Sequence, residues 1–257
     1  MSGISGVTST TSYMDYGKVA SGKAIQSAAD GAAELAIATK QETVASGLSV
    51  GKDNMAAGKD LLNISDGALG SITDNLQRMR ELALQSMNTA TTTASDREKL
   101  QTEVAQLKQG IADIADQTQY NTKNLLDGST GELMIATDDQ GHGQGITTGN
   151  ATLQALGIEN FDLGENLDLD AIDKALEKVT TMRSGAGAQT NRIEYGMNYN
   201  GYTEYNMTAS VSRLKDLDMG KGVHELTKKR TLETYALMMQ KKRQEDEAAA
   251  KSRLFGA

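Results

Sequence analysis

Residues able to do chemistry are few in this chain of 257, and their spacing argues against catalysis. There are two histidines, His142 and His224, and no cysteine, so disulfides, thiol chemistry and histidine- or cysteine-rich metal sites are excluded. His224-Glu225 opens an HExxH pattern, but the fifth residue is Lys228, so two imidazoles cannot share a helix face. GHGQG at 141–145 lacks the GxGxxG spacing and reads as a turn. Asp138 and Asp139 read as a solvated acidic turn rather than a cation site, and KKRQEDE (241–247) as a solvated helix face with i,i+4 pairs such as Lys241–Glu245. No catalytic residue, metal or cofactor is expected. The one unusual cluster is aromatic: Tyr195, Tyr199, Tyr202 and Tyr205. At about 100° per residue they lie opposite Ile193 and Met207, which fits either a partner face or packing on the chain's own helices.

The elements carrying these residues are long helices. Leu48, Met55, Leu62, Leu69, Leu76 and Ala83 recur every seven residues, as do Ile172, Val179, Ala186, Ile193, Met207 and Leu214, interrupted at Asn200. Such a stripe must be covered by another helix. The chain contains no proline, so no helix is cut by a missing amide donor. Aromatics are scarce at 4% and tryptophan is absent, which suits thin helix–helix seams over a thick globular core. The net charge of −8 makes nucleic acid or an anionic membrane surface a poor partner. No stretch approaches the roughly 20 apolar residues needed to span a bilayer, and the first twenty residues lack a Sec-type signal pattern.

The expected fold is mainly α: an elongated antiparallel helical rod, a coiled-coil-like bundle, with a small β-hairpin region. Helices are expected at 51–88, 96–117 and 168–218, and from about Val223 to Arg253. Residues 18–47 read as short helices with breaks. Ser95 and Glu98 form a capping-box pattern. Hairpins are expected over 118–165, with Leu133, Ile135 and Ile146 in short strands around a DDQGHGQG turn. The expected division is an N-terminal segment 1–47, a rod domain 48–219 and a C-terminal helix 220–257. Residues 1–20 and the end of the last helix offer no long apolar stripe and are expected to be mobile in a free subunit. Leu226, Leu232, Tyr235 and Met239 are the contacts expected there.

Several separate motifs resemble bacterial flagellin: IQSAADGAAELAIA (25–38), LQRMRELALQSMN (76–88), DREKLQTEVAQLKQGIADIADQTQYNTKNLLDG (96–128), ALEKVTTMRSGAGAQTNRIE (175–194) and MTASVSRLKDLDM (207–219). The resemblance covers roughly residues 20–220 in the family's order and spacing. It implies a structural subunit of the bacterial flagellar filament, exported by the flagellar type III route and located outside the cell in the flagellum. Implied partners are further copies of itself, a flagellar export chaperone and the innate flagellin receptor of a host. It also implies subunit or receptor contacts at Arg78, Arg80, Glu81, Leu82 and Glu103. Only hairpins fit between Gly128 and Asp168, where longer flagellins carry outer domains. A leader shorter than the family's N-terminal inner helix, and the charged tail, favour as an alternative a minor component such as a hook–filament junction protein or a secreted paralogue.

Overall fold

The computed structural model describes residues 16–88, 90, 92–164 and 167–255. In chain order the elements are a helical turn α1 (16–21), α2 (Ala32–Ser86), α3 (Ala94–Gln117), β1 (Gln119–Tyr120), β2 (Lys123–Asn124), β3 (Leu133–Ala136), β4 (Gly143–Ile146), α4 (Leu153–Leu156), α5 (Leu169–Lys215) and α6 (Met219–Phe255). They form two compact units. One spans Ala45–Glu204; the other comprises the described parts of Met1–Val44 and Tyr205–Ala257.

Within Ala45–Glu204, α2 and α5 run antiparallel. Their ion pairs show it, because the partner on α5 moves down the chain as α2 moves up. Lys52 pairs with Glu204 at 2.9 Å, Lys59 with Glu194 at 2.5 Å, Asp66 with Arg183 at 2.9 Å and Arg80 with Asp173 at 2.7 Å. Between these pairs lies the predicted seam. Leu48, Met55, Leu62, Leu69, Leu76 and Ala83 are buried, facing Ile172, Val179, Ala186 and Ile193. A second row on α2, Leu61, Ile72, Met79 and Leu82, joins Val104, Ile111 and Ala115 of α3 in the same core. The seven-residue stripe alone did not reveal this row. A helix touching two partners needs an apolar face wider than a coiled-coil seam.

Several boundaries differ from expectation: α5 ends at Lys215 rather than 218, and α6 begins at Met219 rather than about Val223. Helix α2 begins at Ala32, not 51, and passes through Gly47 and Gly51 without a break. Their helix-propensity cost is local and is outweighed by tertiary packing. The capping box of α3 lies two residues earlier than Ser95–Glu98. Thr93 Oγ1 accepts from Asp96 N–H at 3.2 Å and the Asp96 carboxylate accepts from Thr93 N–H at 3.2 Å, so Ala94 and Ser95 belong to the helix. The 118–165 region contains two hairpins and also the single turn α4, capped by Thr152 and closed by Gly157 in the left-handed region at φ 86°.

The β3–β4 hairpin pairs Leu133 with Ile146 and Ala136 with Gly143. The Asp138 carboxylate shapes its turn by accepting from Gln140 N–H at 3.0 Å and His142 N–H at 2.8 Å, and it contacts His142 Nδ1 at 2.5 Å. Those bonds use the carboxylate that a cation would need. The β1–β2 hairpin turns through Asn121 and Thr122, both at positive φ (48° and 65°), which gives the two-residue turn matching strand twist.

In the other unit, Gly22 at φ 69° lets the chain bend back, so that Ala24 N–H donates to Lys215 O at 2.7 Å and Leu217 N–H to Gly22 O at 2.8 Å. Lys215 and Glu42 pair at 2.8 Å, and Arg230 stacks 5.4 Å from the Tyr16 ring centre. On α6, Leu226 is buried, while Leu232, Tyr235 and Met239 are exposed. Residues 1–15, to which most of the expected mobile leader belongs, lie outside the described residues; 16–21 are helical.

Candidate subunit-contact surface

Helix α2 carries LQRMREL with its residues sorted by face. Leu76, Met79 and Leu82 point into the core, while Arg78 and Glu81 stay exposed on the outer side. Burial corrects one expectation: Leu82 is 0% exposed and no partner can reach it in the folded unit. Positions 76, 79, 82 and 83 follow the helical period of the seam. The neighbouring leucine that does reach solvent is Leu84.

The charged residues form two clusters. Arg78 donates from Nε to Glu103 Oε1 at 2.8 Å and from Nη1 to Glu81 Oε2 at 3.1 Å, tying α2 to α3. Arg80 donates from Nε to Asp173 Oδ1 at 2.7 Å, tying α2 to α5. Three of the expected contact residues, Arg78, Glu81 and Glu103, are therefore one polar patch, and Arg80 belongs to a different one. Donating to the Glu103 carboxylate raises the Arg78 pKa further, with Glu81 adding to it, and Asp173 does the same for Arg80. Both guanidinium groups are permanently charged, and their carboxylate partners orient them.

Of the two readings of the tyrosine cluster, self-packing is overturned. Tyr195, Tyr199, Tyr202 and Tyr205 are 77%, 68%, 74% and 74% exposed. The seam side of α5 is already filled by Ile193 and by Asn200, which is 4% exposed. Asn200 breaks the apolar repeat for a reason that sequence reading missed. Its Nδ2 donates to Thr137 O at 2.6 Å and Leu48 O at 3.3 Å, pinning the β3–β4 turn to α2. The space for this turn comes from missing side chains. A Cβ on Gly51 would sit 2.3 Å from Thr137 O, and one on Gly58 would sit 2.1 Å from Ile135 Cδ1. A polar residue at a seam position with glycines on the facing helix was the available signal.

No group of His, Asp and Glu able to hold a metal occurs among the described residues, and no described helix is long and apolar enough to cross a membrane.

Comparison with known proteins agrees with this arrangement. The bacterial flagellin N-terminal helical region matches residues 8–130, and the bacterial flagellin C-terminal helical region matches residues 169–247. Flagellin from Halalkalibacterium halodurans is 36% identical over 82% of this chain and 80% of that protein. The flagellar filament 33 kDa core protein of Treponema phagedenis is 31% identical over 88% of this chain and 86% of its own length. Among solved structures, Bacillus cereus flagellin has a TM-score of 0.52 at 30% identity, covering 58% of this chain and 89% of that one. Both helical regions match in order, and the residues between them hold the β3–β4 hairpin, α4 and loops: the chain belongs to the bacterial flagellin family.

Proposed function

We propose that this chain is a structural subunit of the bacterial flagellar filament and polymerises through the outer surface of its helices. The paired matches to both helical regions of flagellin carry the reading. Relatives named as flagellin and as filament core protein favour the repeating subunit over a minor junction component. The three-part division into 1–47, 48–219 and 220–257 follows from the same reading, with the central part supplying the lateral contacts.

We assign the first contact patch to Arg78, Glu81 and Glu103, and a second to Arg80 with Asp173. An incoming subunit replaces part of the solvent around these preset guanidinium groups, and complementary charge there sets register and rate of addition. The exposed apolar residues of α6, including Leu232, Tyr235 and Met239, are assigned to neighbouring subunits in the filament. Before assembly they suit an export chaperone, because a chain delivered by the type III route needs such surface masked. Arg78, Glu81 and Glu103 are also the exposed groups that a host flagellin receptor would meet on the monomer.

The test is polymerisation of purified protein, read by sedimentation and electron microscopy. Wild type should give filaments in which this chain is the repeating subunit. Arg78→Ala should keep the helical content of the monomer while lowering the sedimenting fraction and weakening receptor binding. Filaments that never form from wild type, even on preformed seeds, would sink the proposal. Unchanged values in both assays for Arg78→Ala would remove this patch from it.

A further inference from the structure

The exposed face of α5 has a pattern that the filament reading does not use. At about 100° per residue, Thr181, Ser184, Ala188, Asn191, Tyr195, Tyr199 and Tyr202 fall within about 40° of one line along the helix. All seven are exposed and none is charged. The first three are small and the last three are large, with mirrored spacing. Tyr195, Tyr199 and Tyr202 are separated by four and three residues, and Ala188, Ser184 and Thr181 by the same steps in the opposite direction. The centre of the mirror lies between Asn191 and Arg192.

From this pattern we propose that two copies of the chain pair through this face, with their α5 helices antiparallel about a two-fold axis between Asn191 and Arg192. Each tyrosine then lies over a small residue of the partner: Tyr195 over Ala188, Tyr199 over Ser184 and Tyr202 over Thr181. In a parallel arrangement in register, tyrosine would meet tyrosine and small would meet small. Charge depletion with tyrosine enrichment is the composition of an interface centre. Tyrosine also supplies amphipathic contact area with few rotors to freeze. At their observed exposures the three rings offer roughly 300–550 Å² per copy, about half of the roughly 800 Å² per partner of a standard interface. The flanking small residues and backbone extend that area, and a weak, reversible dimer is expected.

A two-fold contact closes on itself, whereas a filament needs contacts that propagate. The dimer is therefore a state of the free subunit, distinct from the filament lattice, and it covers the tyrosine stripe before assembly. Arg192, exposed at the edge of the stripe, approaches its symmetry mate near the axis. Salt should therefore strengthen the dimer, because screening weakens this repulsion.

The chain has no cysteine, so engineered thiols report cleanly. With the full chain kept unpolymerised, Asn191→Cys should link to its symmetry mate through a short bis-maleimide. Thr181→Cys should not, since 21 helical positions, about 32 Å, separate it from its own copy. Sedimentation should show a monomer–dimer equilibrium weakened at least about tenfold by Tyr195→Ala or by Ala188→Tyr. The double variant exchanges the large and small partners and should return to within about fivefold of wild type. All these positions are exposed, and circular dichroism would confirm retained helicity. Efficient linking of Thr181→Cys, failure of the double variant to recover, or a monomer at every concentration and salt would overturn the proposal. Filament growth assayed on the same samples separates the two ideas: a strict monomer that still grows filaments refutes only the dimer, and a dimer that never grows them refutes only the filament reading.

Discussion

Replacing Asn200 tests whether one buried amide holds the hairpin onto the helices. In Asn200→Ala the short bond to Thr137 O and the longer one to Leu48 O are lost. Leu48 O belongs to α2 and has intrahelical partners, so Thr137 O carries most of the effect. A typical intramolecular hydrogen bond contributes about 1 kcal/mol net, and a carbonyl left buried without a partner costs about 1–3 kcal/mol. The hairpin turn can lift toward water and recover part of that cost, which brings the expected loss to about 1–2 kcal/mol. For a domain of this size that corresponds to a melting temperature lower by roughly 2–8 °C. The assay is thermal unfolding by circular dichroism together with amide hydrogen exchange. Thr137 N–H, which donates to His142 O at 2.8 Å, should exchange faster while seam amides of α5 change little. Asn200→Leu separates the two roles of the position. It restores an apolar seam residue, so melting should change less than for Ala, yet the hairpin should still exchange fast. Unchanged melting and unchanged exchange at Thr137 in both variants would refute the pinning role.

Leu69→Asp places a carboxylate at a fully buried seam position, which should cost several kcal/mol and lower both helicity and melting temperature; wild-type values would mean the seam is wrongly assigned. Gly58→Ala puts a Cβ 2.1 Å from Ile135 Cδ1, so a loss of about 1–3 kcal/mol in urea unfolding is expected, relieved by pairing it with Ile135→Ala. Thr93→Ala removes the cap of α3 and should cost about 1 kcal/mol, measured the same way. Asp30 is held well below the ordinary carboxylate range, first by the Lys18 ammonium at 2.6 Å and then by Ser27 and Gln26 N–H. Its folded pKa is depressed, so its stabilisation is present above about pH 4 and is lost as pH falls toward the depressed value. Melting temperature followed from pH 5 downward should therefore fall less steeply in Asp30→Asn; identical acid limbs would count against the pairing.

How much of this was legible beforehand depended on whether the deciding interaction was local. The seven-residue stripes, the absence of proline and the motifs resembling flagellin already placed three of the long helices, their antiparallel pairing and the family. Burial of leucine along a helix is set by the 3.6-residue period, which sequence carries directly. The turn over Asp138–His142 was equally readable, because turn residues act through their own backbone, whereas Gly143–Gly145 of the expected DDQGHGQG turn pair with β3 as strand β4. Tertiary packing decided the rest. Leu82 shares a motif with Arg78 and Arg80, yet its place in the core follows from α3 covering that side of α2. Glycines that argue locally for breaks became close-packing points, since hairpin atoms at Gly51 and Gly58 come from residues about 80 positions away. Asn200 interrupted a repeat in the sequence, and only the approach of Thr137 O explains why an amide belongs there. The tyrosines were visible from the start as a helical stripe. Their freedom to meet another molecule became known only once α2 and the hairpin were seen to occupy the other side of α5, because exposure depends on every element that could have covered them.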